Sequence, residues 1–242
     1  MAELEVAKHG KNIIQVAAKK EHSAAHKLRE VALEIVTIFF AVSLSIWLHG
    51  ASEHYHEQQQ VRSFLLGLKA DLQNDVAGLK NINALHHSFD KNLQYLAALD
   101  PNGRPDGAKF DAAYLYADAN VFFKPANSRY EGFRLSGKLT NIEDEKLLND
   151  IISLYQYDYD AIHISEGGWS DQQQKLRAYL DDVLDGDSTA QHYKAVTTPR
   201  GKRLLNGLVA SSQLYERLGT YAAHANRIIK AIDAAYPGAK LD

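Results

Sequence analysis

Cysteine is absent from the 242 residues. Disulfide staples, thiol nucleophiles and Cys-based zinc sites are therefore excluded, while the redox compartment stays open. Proline is scarce, with five in all. No sign of charge dominates. The 27 Lys and Arg face 30 Asp and Glu, a formal net charge of −3, so no whole-chain field points to nucleic acid. Glycine-rich phosphate loops and the G-x-S-x-G nucleophile elbow are missing, and Ser136-Gly137 reads as a turn. Asp144, Glu145, Asp150, Asp158 and Asp160 do not repeat at calcium-loop spacing and read as solvated helix faces. Low-complexity tracts and fixed-period repeats are missing too. What remains is 45% apolar, a composition suited to a folded, helix-rich chain.

The richest stretch is residues 31–48, VALEIVTIFFAVSLSIWL, whose only charge is Glu34. As a helix it covers about 27 Å, close to the ~30 Å hydrocarbon core of a bilayer. Three readings compete: a membrane span, a buried core helix and a cleaved signal peptide. The signal-peptide reading fits poorly, because the preceding leader is long and His49-Gly50-Ala51 lacks the small-x-small pattern of a cleavage site. The core-helix reading draws on the shortness of the uncharged part, residues 35–48. Against it, the run has no polar face, and the hydroxyls of Thr37, Ser43 and Ser45 can bond back to helix carbonyls. In the span reading the anchor is Glu34, near the headgroups, with Phe39, Phe40 and Trp47, the indole lying at interfacial depth.

Charge near the ends sets orientation. Lys8, Lys11, Lys19, Lys20, Lys27 and Arg29 precede the run, whereas the first basic residue after it is Arg62. That asymmetry predicts a cytoplasmic leader at 1–30, a span at 31–49 and an external domain at 50–242. In a bacterial inner membrane the external domain would be periplasmic. The leader carries a weak apolar stripe through Leu4, Val6, Ile13, Ile14 and Ala17. It reads either as a helix on the anionic leaflet or as a frayed tail.

Beyond the run, apolar residues from Val61 through Leu72, Leu79 and Phe89 to Leu96 recur at spacings of three and four, which predicts one long amphipathic helix. Two prolines and two glycines at 100–108 stop it. Residues 110–117 read as a short helix, and Val121-Phe122-Phe123 as a buried elbow ended by Pro125. Thr140-Asn141-Ile142-Glu143 has the form of a capping box opening a helix through Tyr155. Gly167-Gly168 is expected to interrupt or kink the next helix. A last helix starts after Thr198-Pro199 and runs toward Pro237-Gly238. The predicted class is all-α: an N-terminal transmembrane helix continues into a long helix, followed by an antiparallel bundle.

Two clusters could carry chemistry or contacts. His49, Glu53 and His56 fall at i, i+4 and i+7, close to one helix face, where imidazoles and a carboxylate could hold a divalent ion. A pH-responsive collar and a plain polar collar compete with that reading. Tyr155, Tyr157 and Tyr159 read either as an aromatic contact surface or as rim packing between helices. His86-His87 point about 100° apart on a helix and read as ordinary, partly exposed residues.

Three segments resemble an uncharacterised family of bacterial single-pass membrane proteins, known as a domain of unknown function. They are Glu34-Ile35 leading into the run that ends at Trp47, the Leu-rich helix from Arg62 to Asp71-Leu72, and Tyr130-Glu131-Gly132-Phe133 with Ser136-Gly137, Leu139 and Ile142. The resemblance implies an anchored helical domain and supplies no catalytic residue. The function expected is a scaffolding or interaction module, an accessory subunit of a membrane complex without enzymatic activity or cofactor. Its partners would be the lipid bilayer and other membrane or periplasmic proteins, with self-association open and nucleic acid excluded. A ligand- or pH-sensing module and a membrane-tethered metal-dependent enzyme are the alternatives.

Overall fold

The structure is a computed structural model that describes residues 2–239, with side chains described at His26 and from Leu28 onward. It is 84% helical, without a strand among the described residues, so the chain is all-α. Among the described residues eight α-helices form in chain order: α1 (Ala2–Ala98), α2 (Gly107–Asp118), α3 (Ser128–Leu135), α4 (Glu145–Ser153), α5 (Tyr159–Val183), α6 (Thr189–Thr197), α7 (Pro199–Leu208) and α8 (Ser212–Ala235). A 3₁₀ turn, Lys138–Asn141, follows α3, and a π-helical turn, Leu154–Asp158, joins α4 to α5. Contacts divide the chain into two units, Met1–Gln58 and Gln59–Asp242.

The first unit is helical throughout its described residues. Among the described residues its apolar run finds no cover, since every side chain from Leu28 to Glu57 is exposed. Thr37 turns its hydroxyl back to the Leu33 carbonyl at 2.8 Å, so the polar group is satisfied within the helix. The lysines behind the orientation argument (Lys8, Lys11, Lys19, Lys20 and Lys27) and the leader's apolar stripe have side chains outside the described residues.

The second unit holds two cores. Val61, Phe64, Leu65, Leu68, Leu72 and Leu79 of α1 pack with α3, α4 and α8 in one. Phe89, Leu93 and Leu96 pack with α2, α6, α7 and the C-terminal half of α5 in the other. The three-and-four stripe of α1 serves both, and Ile82 touches each. Across from α1, α8 runs antiparallel, because Lys69 meets Asp233, Asp75 meets Tyr221, and Asp90 meets Tyr215. Short polar side chains start α2, α4, α6, α7 and α8. Asp106, Asp144, Ser188, Thr198 and Ser211 each accept a bond from a first-turn amide, supplying a partner the helix itself lacks.

Several local expectations change here. The helix after the 3₁₀ turn is capped by Asp144, which accepts from Leu147 N at 3.0 Å, and Thr140 lies inside the 3₁₀ turn. A carboxylate three residues ahead of a free amide outcompetes the expected box. Gly167 and Gly168 do not break α5, which runs unbroken from Tyr159 to Val183. The expected last helix is two, α7 and α8, parted at residues 209–211, and α6 was not foreseen. His86 is buried, not partly exposed.

The stretch from Ala119 to Asn127 is a non-helical strap. Val121, Phe123 and Pro125 point inward while Phe122 and Lys124 face out, the alternation of extended backbone. Without a ladder, its amides need other partners. Glu166 of α5 accepts from Phe123 N at 2.7 Å, and Asp75 of α1 accepts from Ala126 N at 3.0 Å. Gln173 donates to the Ala119 carbonyl at 2.9 Å.

Candidate functional site

The apolar run is the first candidate. Among the described residues one helix is long and apolar enough to cross a membrane, and its best 18-residue window has a mean hydropathy of 2.2 with none of that window buried. Phe39, Phe40 and Trp47 are 74%, 65% and 66% exposed. So continuous an apolar surface is rarely left open to water on a monomer.

His49, Glu53 and His56 lie exposed on the same helix. Among the described residues, no three His, Asp or Glu side chains are placed to hold a metal ion.

The three tyrosines do not form one surface. Tyr155 is buried and stacks on Tyr130 at 4.3 Å, Tyr159 packs edge-on to Phe123, and Tyr157 alone faces out. The π-helical turn redirects successive side chains there. It also brings Asp158 to His224, whose Nδ1 lies 2.6 Å from an Asp158 carboxylate oxygen and whose Nε2 lies 3.6 Å from one of Asp150. Because α4, the π-turn and α8 meet at this buried imidazole, it ties three segments together.

Two other buried acids hold structure. Burial pushes the carboxyls of Asp75 and Glu166 above their ordinary range, against the lowering effect of the strap amides they accept from. Tyr221 donates to Asp75 at 3.1 Å, and its own hydroxyl is pushed upward by burial.

A cleft of about 310 Å³ opens where α5 meets the α7–α8 connection. Ile164, Gly168 and Trp169 form one wall, and Val209, Leu214 and Arg217 the other. The Trp169 indole donates to the Leu208 carbonyl at 2.7 Å. Arg217 donates from Nη1 to the Ala161 carbonyl at 2.7 Å and to Ser165 Oγ at 2.6 Å. A second hollow of about 220 Å³, lined by Asp158 and Glu216 among others, shares Gln213 and Arg217 with the first. Sequence reading passed over Trp169 and Arg217. The available signal was Gly167-Gly168, read there as an interruption or kink.

No protein-family model matches this chain, and no curated protein or solved structure is found to match it.

Proposed function

We propose that the chain is a single-pass protein of a bacterial inner membrane, with residues 1–30 cytoplasmic, 31–49 in the bilayer and 50–242 in the periplasm. The periplasmic part acts as an interaction or scaffolding module, an accessory subunit of a membrane complex and not an enzyme. The observation that carries this reading is the uncovered 18-residue window of mean hydropathy 2.2. Lipid is the solvent that makes such a surface favourable, at roughly 25 cal/mol per Å² withdrawn from water. The basic residues ahead of the run, against none between it and Arg62, favour a cytoplasmic leader. The family resemblance of the sequence agrees with that architecture.

The test adds protease to intact spheroplasts carrying a C-terminally tagged chain. The tag is expected to be lost while a fragment resists alkaline carbonate extraction with the membrane. A tag spared in intact spheroplasts, or a chain released by carbonate, would overturn the topology. Purification in mild detergent followed by mass spectrometry is expected to recover a stoichiometric protein partner or a second copy. A strict monomer with nothing bound would count against the module role.

A further inference from the structure

Glycine inside a helix costs about 1 kcal/mol relative to alanine, so a glycine pair in the middle of α5 calls for a reason. Crowding is not the reason, since a Cβ at Gly167 or Gly168 would meet nothing within 4 Å. Backbone conformation is not the reason either, because the glycines with positive φ among the described residues are Gly137 and Gly238. What Gly168 does is leave bare the wall of the 310 Å³ cleft, beside Trp169.

The rest of that cleft is held in place from several sides. Trp169 is fixed by its bond to the Leu208 carbonyl and touches Phe89 and Phe122 edge-on. The opposite wall exists because the chain breaks between α7 and α8. That break is pinned by Asp90, which accepts from Ala210 N at 2.7 Å and from the Tyr215 hydroxyl at 2.6 Å. Walls set before binding spare a ligand the cost of ordering them.

Arg217 is the one charged residue lining this cleft. Among the described residues both of its hydrogen bonds leave from Nη1, so Nε and Nη2 remain to donate. A planar guanidinium with two uncommitted nitrogens matches the fork of a carboxylate or a phosphate, and a single positive charge in an otherwise neutral, partly apolar cleft suits the singly charged carboxylate. Ser165, Ser211 and Gln213 add neutral polar groups, and the remaining wall is apolar. The volume sits at the small end of ligand pockets, which run from about 300 to 1,000 Å³. Beyond Arg217, Asp158 and Glu216 line the neighbouring hollow and repel an anion, which confines a carboxylate to the Trp169 side.

We propose that this cleft binds a small monocarboxylate, its aromatic or short aliphatic body against Trp169, Val209 and Leu214 and its carboxylate on Arg217. The site goes beyond the anchoring and scaffolding role and lies wholly in the second unit, so it stands or falls apart from what surrounds the span.

The test uses the full chain in lipid nanodiscs. Of the two tryptophans, Trp47 is replaced by Trp47→Phe, leaving Trp169 as the sole indole reporter. Titration with phenylacetate is expected to change Trp169 emission saturably, and phenethylamine to bind at least about tenfold more weakly. Arg217→Gln should weaken phenylacetate by about tenfold or more. Gly168→Leu should fill the cleft and abolish binding while leaving the melting temperature near that of the parent. This second variant decides the matter if Arg217→Gln fails to fold. No saturable response to phenylacetate, equal or tighter binding of the amine, or unchanged binding in Gly168→Leu would each overturn the proposal.

Discussion

At the scale of single residues, the second unit is organised by side chains that water would normally claim. Glu166 and Asp75 are buried so that two amides of an unpaired strap have acceptors. Ionised, each accepts well but resists burial, and burial wins, raising both carboxyls. The sign of the pH effect follows. A carboxyl whose folded pKa lies above its unfolded one gives full stability below the unfolded value, and that contribution is lost as pH rises through the folded value. Glu166→Gln keeps an oxygen for Phe123 N and removes the charge. It is therefore expected to melt at or above the parent temperature at pH 7, with the advantage shrinking toward pH 4, as circular dichroism melts would record. His86 works the other way, its pKa lowered chiefly by burial, so its contribution falls away in acid. Its neighbour Asp90 opposes that shift without reversing it.

Among the elements, close approach between helices is where single atoms matter most. Thr198 caps α7 by accepting from Gly201 N at 2.9 Å, and Pro199 occupies the first turn, where its missing amide costs nothing. That geometry presses Gly201 onto the end of α6. An added Cβ would come within 2.4 Å of the Ala195 carbonyl and 2.8 Å of the Val196 backbone. Gly201→Ala is accordingly expected to destabilise the second unit by about 3 kcal/mol, read from urea unfolding. The glycine in α5 at position 168 shows the opposite case, an open wall in place of a tight crossing. Sequence alone cannot tell the two apart, because both are glycines inside helical patterns.

At the level of the whole chain, the two units differ in how their apolar side chains are covered. The second buries its stripes against itself, with Leu68, Leu72, Leu93 and Leu96 fully withdrawn from water. The first leaves Val42, Ile46 and Trp47 exposed among the described residues. In the proposed span reading its surroundings, and not packing, cover those side chains. An arginine in the middle of a bilayer-spanning helix costs about 2.5–3.5 kcal/mol on insertion. Val42→Arg is expected to lower the carbonate-resistant fraction several-fold while Val42→Leu leaves it unchanged. Equal extraction of both variants would mean that the run is not in lipid.

Much of the helical framework is written locally. Three-and-four spacing from Val61 to Leu96, turn residues at 100–107 and the Thr198-Pro199 start depend on neighbours within a few positions, so they can be read without coordinates. The uncovered run from Val31 to Leu48 is legible for the same reason, since hydropathy is a property of the residues themselves. Which polar groups go inside is another matter. Asp75 meets Ala126 and Tyr221, Glu166 meets Phe123, and Asp158 meets His224 across separations of tens of residues or more. Nothing in the local pattern distinguishes those acids from solvated ones. The break between α7 and α8, and the cleft it opens beside Trp169, arise likewise from Asp90 reaching across from α1. Backbone preference operates over one or two turns of helix, whereas burial is settled only when distant segments meet and exclude water.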